Sequence, residues 1–202
     1  MIQLIIGDEP YCVNWYKNEL KSKIELQDFN CGVFREFSGQ VTAFIGSYPL
    51  MEDKKLLDCV ITQNIDGFHT DAGSKNVYEL HGSIKRNYCM DCHKFYDDTY
   101  IFNSTDIPKC SCGGIIKPDV VLYEEGLDDD TIKNSIRAIA SCDLLIIGGT
   151  SLNVYPAAGF INYFRGKHLV LINRDSTNYD SMCDLVIHEN IGKVFEQIKK
   201  EI

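Results

Sequence analysis

The sequence predicts an α/β fold in which a parallel sheet is covered by helices on both faces. Three observations carry that prediction. The runs LLDCVITQN, DLLIIGGT, HLVLIN and DLVIHE are short and apolar without polar alternation, the pattern of strands buried on both sides. Segments with helical spacing separate several of them, as crossovers between parallel strands require. The first three runs end in polar or small residues, which suits strand ends that open onto a ligand.

Taken in order, QLIIG near the N-terminus reads as a strand, and Val13, Tyr16, Leu20 and Ile24 follow it at helical spacing. The stretch FNCGVFREFSGQVTAFIGSYPLMEDKK is mixed and predicts no single element. LLDCVITQN is the next strand. LDDDTIKNSIRAIASCD predicts a helix, because acids crowd its first turn, where the helix dipole favours them, and Ile132, Ile136 and Ile139 share a face. DLLIIGGT is a strand running into a glycine pair. YPAAGFINYFRG predicts a helix opened by Pro156 and closed by Gly166. HLVLIN and DLVIHE are strands. IGKVFEQIKKEI closes the chain as an amphipathic helix through Ile191, Val194, Phe195, Ile198 and Ile202.

A chain of 202 residues has room for one domain with a small insert, and 45% apolar residues can build its core. A net charge of −9 argues against nonspecific binding to nucleic-acid phosphates and suits a plain soluble protein, with basic, lysine-rich partners as its complement. The start MIQLIIGDEPYC lacks the basic and long apolar regions of a signal peptide, and no apolar run approaches the roughly 20 residues that span a bilayer. A cytoplasmic protein is expected. Nine cysteines in a reducing compartment then favour thiols and metal ligands over disulfides.

Four cysteines stand together in the segment from about residue 84 to 118, which has no apolar run long enough for a core of its own. Cys89 and Cys92 form a C-x-x-C pair. Cys110 and Cys112 follow after 17 intervening residues, with only Ser111 between them. Two sulfur pairs at this separation suit a closed tetrahedral zinc site, in which the metal is structural rather than catalytic. Gly113 and Gly114 can supply the positive backbone angles that turn the second pair inward. His93 is an alternative ligand, and four free or buried thiols are the alternative to a metal.

Chemistry is therefore sought at the strand ends. Thr62, Gln63, Asn64 and Asp66 follow the first buried run, and His81 precedes Gly82 shortly before the cysteines. Gly148 and Gly149 allow close backbone approach, while Thr150 and Ser151 can donate to phosphate or ribose oxygens, or cap a helix. Asn173 and Asp175 end the third run. Polar groups at three successive strand ends point to a nucleotide-sized site.

From about Leu56 onward the chain resembles the sirtuins, the NAD-dependent protein deacylases. The resemblance rests on TQNIDGFHTDAG, ELHGS, the two cysteine pairs, GGIIKPDVVLYEE, GGTSLNVYPAA and LINRDST, in family order and spacing. It implies a Rossmann-like parallel sheet with a zinc-binding insert. Residues 56–202 would form the NAD-binding domain, 84–118 the zinc module within it, and 1–55 an atypical segment that leaves the sheet incomplete on its N-terminal side. It also implies that Asn64 and Asp66 position the NAD ribose and the nicotinamide carboxamide, with Gln63 touching ribose. Gly149, Thr150 and Ser151 would contact phosphate and ribose, and Asn173, Asp175 and the backbone near Cys183 the adenosine end. Val121, Tyr123 and Glu125 would form one edge for an added acyl-lysine peptide strand, and Leu152, Asn153 and Val154 the other. His81 would be the base. In the implied reaction the acyl oxygen displaces nicotinamide from its ribose, and His81 then takes a ribose hydroxyl proton. The products would be lysine, nicotinamide and acylated ADP-ribose.

Three departures qualify this expectation. The second cysteine pair is C-x-C where C-x-x-C is usual. The family's FGE is Tyr123, Glu124, Glu125 here, which adds a charge beside the peptide groove. Residues 1–55 contain neither the glycine-rich GAGxS turn nor the PDFR loop, and IIGDEPY puts two acids where a diphosphate would sit. LIIGDEPY and the helix after it resemble the start of a bacterial DNA polymerase III delta subunit. Reduced activity, a binding module without turnover, and a replication-associated interaction protein are accordingly the alternatives.

Overall fold

The computed structural model describes residues 2–6, 47–122, 124–150, 152–153 and 155–201. In chain order the elements are β1 (Ile2–Ile6), α1 (Ser47–Asp53), β2 (Leu57–Thr62), α2 (Phe68–Asp71), β3 (Val77–Glu79) and β4 (Gly82–Cys89). There follow β5 (Phe95–Asp97), α3 (Asp98–Phe102), β6 (Ile116–Val120), α4 (Asp129–Ser141) and β7 (Leu144–Gly148). β8 (His168–Ile172), β9 (Leu185–Ile187) and α5 (Ile191–Glu201) complete the set.

The non-alternating runs of β2, β7 and β8 bury residues on both faces, while β9 lies at the sheet edge with Leu185 exposed. They assemble a six-stranded sheet in the order β3-β2-β1-β7-β8-β9, parallel throughout. Successive residues take opposite sides. Cys59, Ile61, Leu145, Ile147, Leu169 and Leu171 pack on one face against Ala138 and Ile139 of α4. Val60, Ile146 and Ile172 pack on the other against Tyr48 and Met51 of α1 and Ile191 and Phe195 of α5. Each fully buried aliphatic side chain contributes about 1.5–3 kcal/mol of burial free energy. The incompleteness expected on the N-terminal side does not reach QLIIG, which supplies β1 between β2 and β7.

Helix α4 begins where the acids predicted it would. The Asp128 carboxylate accepts from the Thr131 amide at 2.7 Å and from its hydroxyl at 2.8 Å, capping the first turn. The segment after Pro156 differs from expectation: Ala157–Tyr163 is a 3₁₀ helix, not an α-helix. Gly159 donates to the Pro156 carbonyl at 2.9 Å, an i to i+3 bond. Its buried residues Ala157, Ala158, Phe160 and Ile161 recur at a spacing of three, which a 3.0-residue turn keeps on one side. Gly159 weakens the α alternative.

A second, antiparallel sheet in the order β5-β4-β6 forms the cysteine-bearing lobe. Its inward positions on β4 are Ser83, Asn87 and Cys89, all buried. Lys85 of β4 pairs with Asp71 of α2, which links the lobe to the large sheet, and with Asp98 inside the lobe. Among the described residues no helix is long and apolar enough to cross a membrane. The helix expected at Val13–Ile24 lies outside the described residues.

Candidate active site and metal centre

The strand register lines up one rim. Glu79, Thr62, Ile6, Gly148, Ile172 and Ile187 pair in a single row across the six strands. At about 4.8 Å per strand, Thr62 and Gly148 stand roughly 10 Å apart and Thr62 and Ile172 roughly 14 Å. The residues that follow Thr62, Gly148 and Ile172 leave the sheet at its carboxyl edge, on either side of β1, where the strand order reverses. That crevice is the usual ligand position of an open α/β sheet.

Each turn is held by its own polar groups. The Thr62 hydroxyl accepts from the Asn64 amide at 3.1 Å, and the Asp66 carboxylate accepts from the Phe68 amide at 2.9 Å. Burial pushes the Asp66 carboxyl above the ordinary carboxylate range. The Phe68 amide opposes the shift, Glu79 and Asp71 add to it, and Lys85 offsets part of it. Gln63 is only 5% exposed, and its amide nitrogen has no partner among the described residues.

His81 is pinned on both sides. Its backbone carbonyl accepts from the Val121 amide at 3.0 Å, and its ring Nδ1 lies 3.0 Å from the Gln63 carbonyl oxygen. A carbonyl only accepts, so Nδ1 donates, and the neutral imidazole then has its lone pair on Nε2. Arg86 braces the junction, reaching Glu79 at 2.6 Å and Asp119 at 2.8 Å.

At the β7 end, Gly149 adopts φ 62°, and its amide donates to the Ile172 carbonyl at 3.0 Å. The buried Thr150 hydroxyl accepts from the Leu152 amide at 3.1 Å; Leu152 is buried and Asn153 exposed. Beyond β8, the Asn173 side-chain amide donates to the Asp175 carbonyl at 2.8 Å. The Cys183 thiol donates to the Tyr179 carbonyl at 3.3 Å, and the Asp175 carboxylate is exposed beside Arg174. On the lobe side Val121 is half-buried, and the Glu125 carboxylate accepts from the Leu122 amide at 2.9 Å and from Lys117 at 3.1 Å. Tyr123, Ser151 and Val154 lie outside the described residues, as do residues 7–46.

The sulfurs of Cys89, Cys92, Cys110 and Cys112 lie within 4.8 Å of one another. Three of the separations, Cys89 to Cys112, Cys92 to Cys110 and Cys92 to Cys112, are 3.5 Å. A tetrahedron with zinc–sulfur bonds of about 2.3 Å has edges of about 3.8 Å, so the set fits zinc. His93 is not part of the cluster; its amide donates to the Cys89 carbonyl at 3.0 Å. Gly113 takes the left-handed angle expected of it, φ 94°. Gly114 is needed for a different reason, since a Cβ there would lie 2.7 Å from the Cys89 sulfur.

The sulfurs also tune one another. The Cys112 amide and the Tyr96 hydroxyl pull the Cys110 thiol down to about 5. Cys112 is pushed up to about 12 by the Cys110, Cys89 and Cys92 thiols, against the pull of the Gly114 amide. Tyr96, whose hydroxyl donates to Cys110 at 3.0 Å, is a support that the cysteine spacing does not reveal; nor does the sequence pattern reveal Arg86. Cys89 ends the eight-residue strand that His81 precedes, so the cluster stands about 25 Å from the imidazole along the strand and takes no part in its chemistry.

A doubly wound parallel sheet with a polar rim at its strand-order reversal, flanked by a four-sulfur lobe, defines an α/β protein of nucleotide-binding architecture. The model of the Sir2 family matches residues 36–156, and the chain belongs to that family. The match begins ahead of the Leu56 boundary at which the motifs become recognisable. A protein of Clostridium perfringens named NAD-dependent protein deacetylase is 63% identical over 150 residues, which are 73% of this chain and 62% of the relative. A namesake from Clostridium acetobutylicum is 63% identical over 154 residues, 75% of this chain and 63% of its own. The chain thus spans less than two thirds of the length of these relatives. Among solved structures, a Sir2 protein with p53 peptide and NAD+ superposes with a TM-score of 0.78 at 26% identity, covering 100% of this chain and 92% of that one.

Proposed function

We propose that the chain is an NAD-dependent protein-lysine deacylase of the cytoplasm, with His81 as its general base. The observation that carries this reading is the Nδ1 hydrogen bond to Gln63, which leaves Nε2 free to accept a proton beside the strand ends. NAD would lie along the rim. Gln63, Asn64 and Asp66 would hold the nicotinamide riboside, Gly149, Thr150 and Ser151 the phosphates and ribose, and Asn173, Asp175 and the backbone near Cys183 the adenosine. An acyl-lysine peptide would add as a strand between Val121, Tyr123 and Glu125 on one side and Leu152, Asn153 and Val154 on the other. The acyl oxygen displaces nicotinamide from its ribose, and His81 Nε2 takes the hydroxyl proton that lets that ribose oxygen attack the acyl carbon. Zinc holds the lobe of residues 84–118 together, while residues 56–202 supply the NAD-binding domain and residues 1–55 an atypical beginning.

The test is steady-state nicotinamide release that depends on an acetyl-lysine peptide, with His81→Ala as the control. A second reading, a binding module with little turnover, is favoured by Asp8 and Glu9, which follow Gly7 in the sequence after β1. Losing two or three charge-assisted hydrogen bonds to the diphosphate, each about 1.5–3 kcal/mol, weakens NAD binding by roughly two to six powers of ten. Isothermal titration of the zinc-loaded protein with NAD separates the two: micromolar affinity supports the deacylase, and millimolar or weaker affinity the binding module.

A further inference from the structure

Two adjacent acids follow β6, and they are placed for different work. Glu125 turns back into its own loop, where the Leu122 amide and then Lys117 hold its carboxyl below the usual range. Glu124 is exposed, forms no ion pair among the described residues, and sits at φ 71°, a left-handed angle that favours glycine. The turn itself does not call for a glutamate at this position, because Glu125 already closes it.

The neighbouring backbone is open. β6 is the outer strand of the small sheet; β4 pairs with one side of it, and its other side has no strand partner among the described residues. Beyond it the Val121 amide is fastened to the His81 backbone carbonyl, so this edge runs on to the backbone of His81. An unpaired edge offers amides and carbonyls to an extended peptide and reads the peptide's sequence only through side chains nearby. The other charges at this edge are engaged: Lys117 with Glu125 and the Val120 carbonyl, and Asp119 with Arg86. Glu124 carries the charge left unbalanced.

We propose that Glu124 is a specificity-determining residue whose carboxylate selects acyl-lysine peptides with a lysine or arginine beside the acylated residue. The inference rests on the deacylase reading above and adds the peptide class. The net charge of −9 attracts basic peptides in general, but salt screens that field within about 10 Å, whereas Glu124 acts at contact distance.

The experiment is fluorescence anisotropy with the zinc-loaded protein and two labelled acetyl-lysine peptides, one flanked by lysines and one by glutamates, each with an unacetylated control. The basic peptide should bind two- to fivefold more tightly than the acidic one beyond any preference retained by Glu124→Gln, which keeps the backbone angle and removes the charge. Glu124→Asp should keep the preference, Glu124→Lys should invert it, and 0.5 M salt should shrink it. An equal preference in the wild-type protein and Glu124→Gln overturns this inference and leaves the deacylase reading standing. Binding that ignores acetylation in both peptides overturns both.

Discussion

The free nitrogen of His81 is the residue-level basis of the proposed chemistry. Because in the proposed reaction the base would act after nicotinamide has left, His81→Ala should lower deacylation by about 10²–10⁴-fold while exchange of labelled nicotinamide into NAD persists. Loss of both activities together would assign His81 a structural role instead. A second histidine behaves oppositely. His69 is buried, stacks on Tyr48 with ring centroids 5.6 Å apart, and is lowered by that burial to about 4. The unfolded chain takes up this proton near pH 6.5 and the folded protein only near 4, so stability is full above pH 6.5 and falls as pH drops toward 4. The loss is about 3 kcal/mol. Urea midpoints measured across this window should fall less steeply in His69→Phe; an unchanged slope would rule out His69 as the source. In the sequence His81 stands out only through the resemblance carried by ELHGS. The burial of His69 is invisible there, because it depends on Tyr48 from another element.

Apolar runs were legible: LLDCVITQN, DLLIIGGT and HLVLIN became β2, β7 and β8, whose inner residues are buried on both faces, and DLVIHE became β9, an edge strand with Leu185 exposed. β4 was not legible, since its inward residues Ser83, Asn87 and Cys89 imitate a surface pattern. Asn87 is satisfied by the Ile84 carbonyl at 3.0 Å and Cys89 by other sulfurs, partners that no periodicity announces. The 3₁₀ helix was misread because its apolar spacing of three lies close to the α period. Two tests belong to this scale. A Cβ at Gly82 would lie 1.9 Å from the Asp119 carbonyl oxygen, at φ 77°. Gly82→Ala should therefore cost about 3 kcal/mol or more and loosen His81; a melting temperature within a degree of wild type would refute that. Zinc removal by a chelator should release amide protection across residues 84–118, whose own buried cluster is only Cys89, Tyr96, Cys110 and Ile116, while β7 and β8 stay protected.

At the scale of the whole molecule, six strand ends in one row place the strand-end residues side by side, and the four-sulfur cluster stands at the far end of β4 from the rim. The candidate rim was legible because its residues follow recognisable strands. The sequence also raised an apparent conflict, a familiar rim beginning with an unfamiliar segment, and β1 resolves part of it by occupying the centre of the sheet. The measurement that bears most directly on this picture is formation of deacetylated peptide from an acetyl-lysine peptide by the zinc-loaded protein, with and without NAD. The account predicts product only when NAD is present, with nicotinamide released in equal amount and almost none from His81→Ala. Product formed without NAD, or formed equally well by His81→Ala, would contradict it.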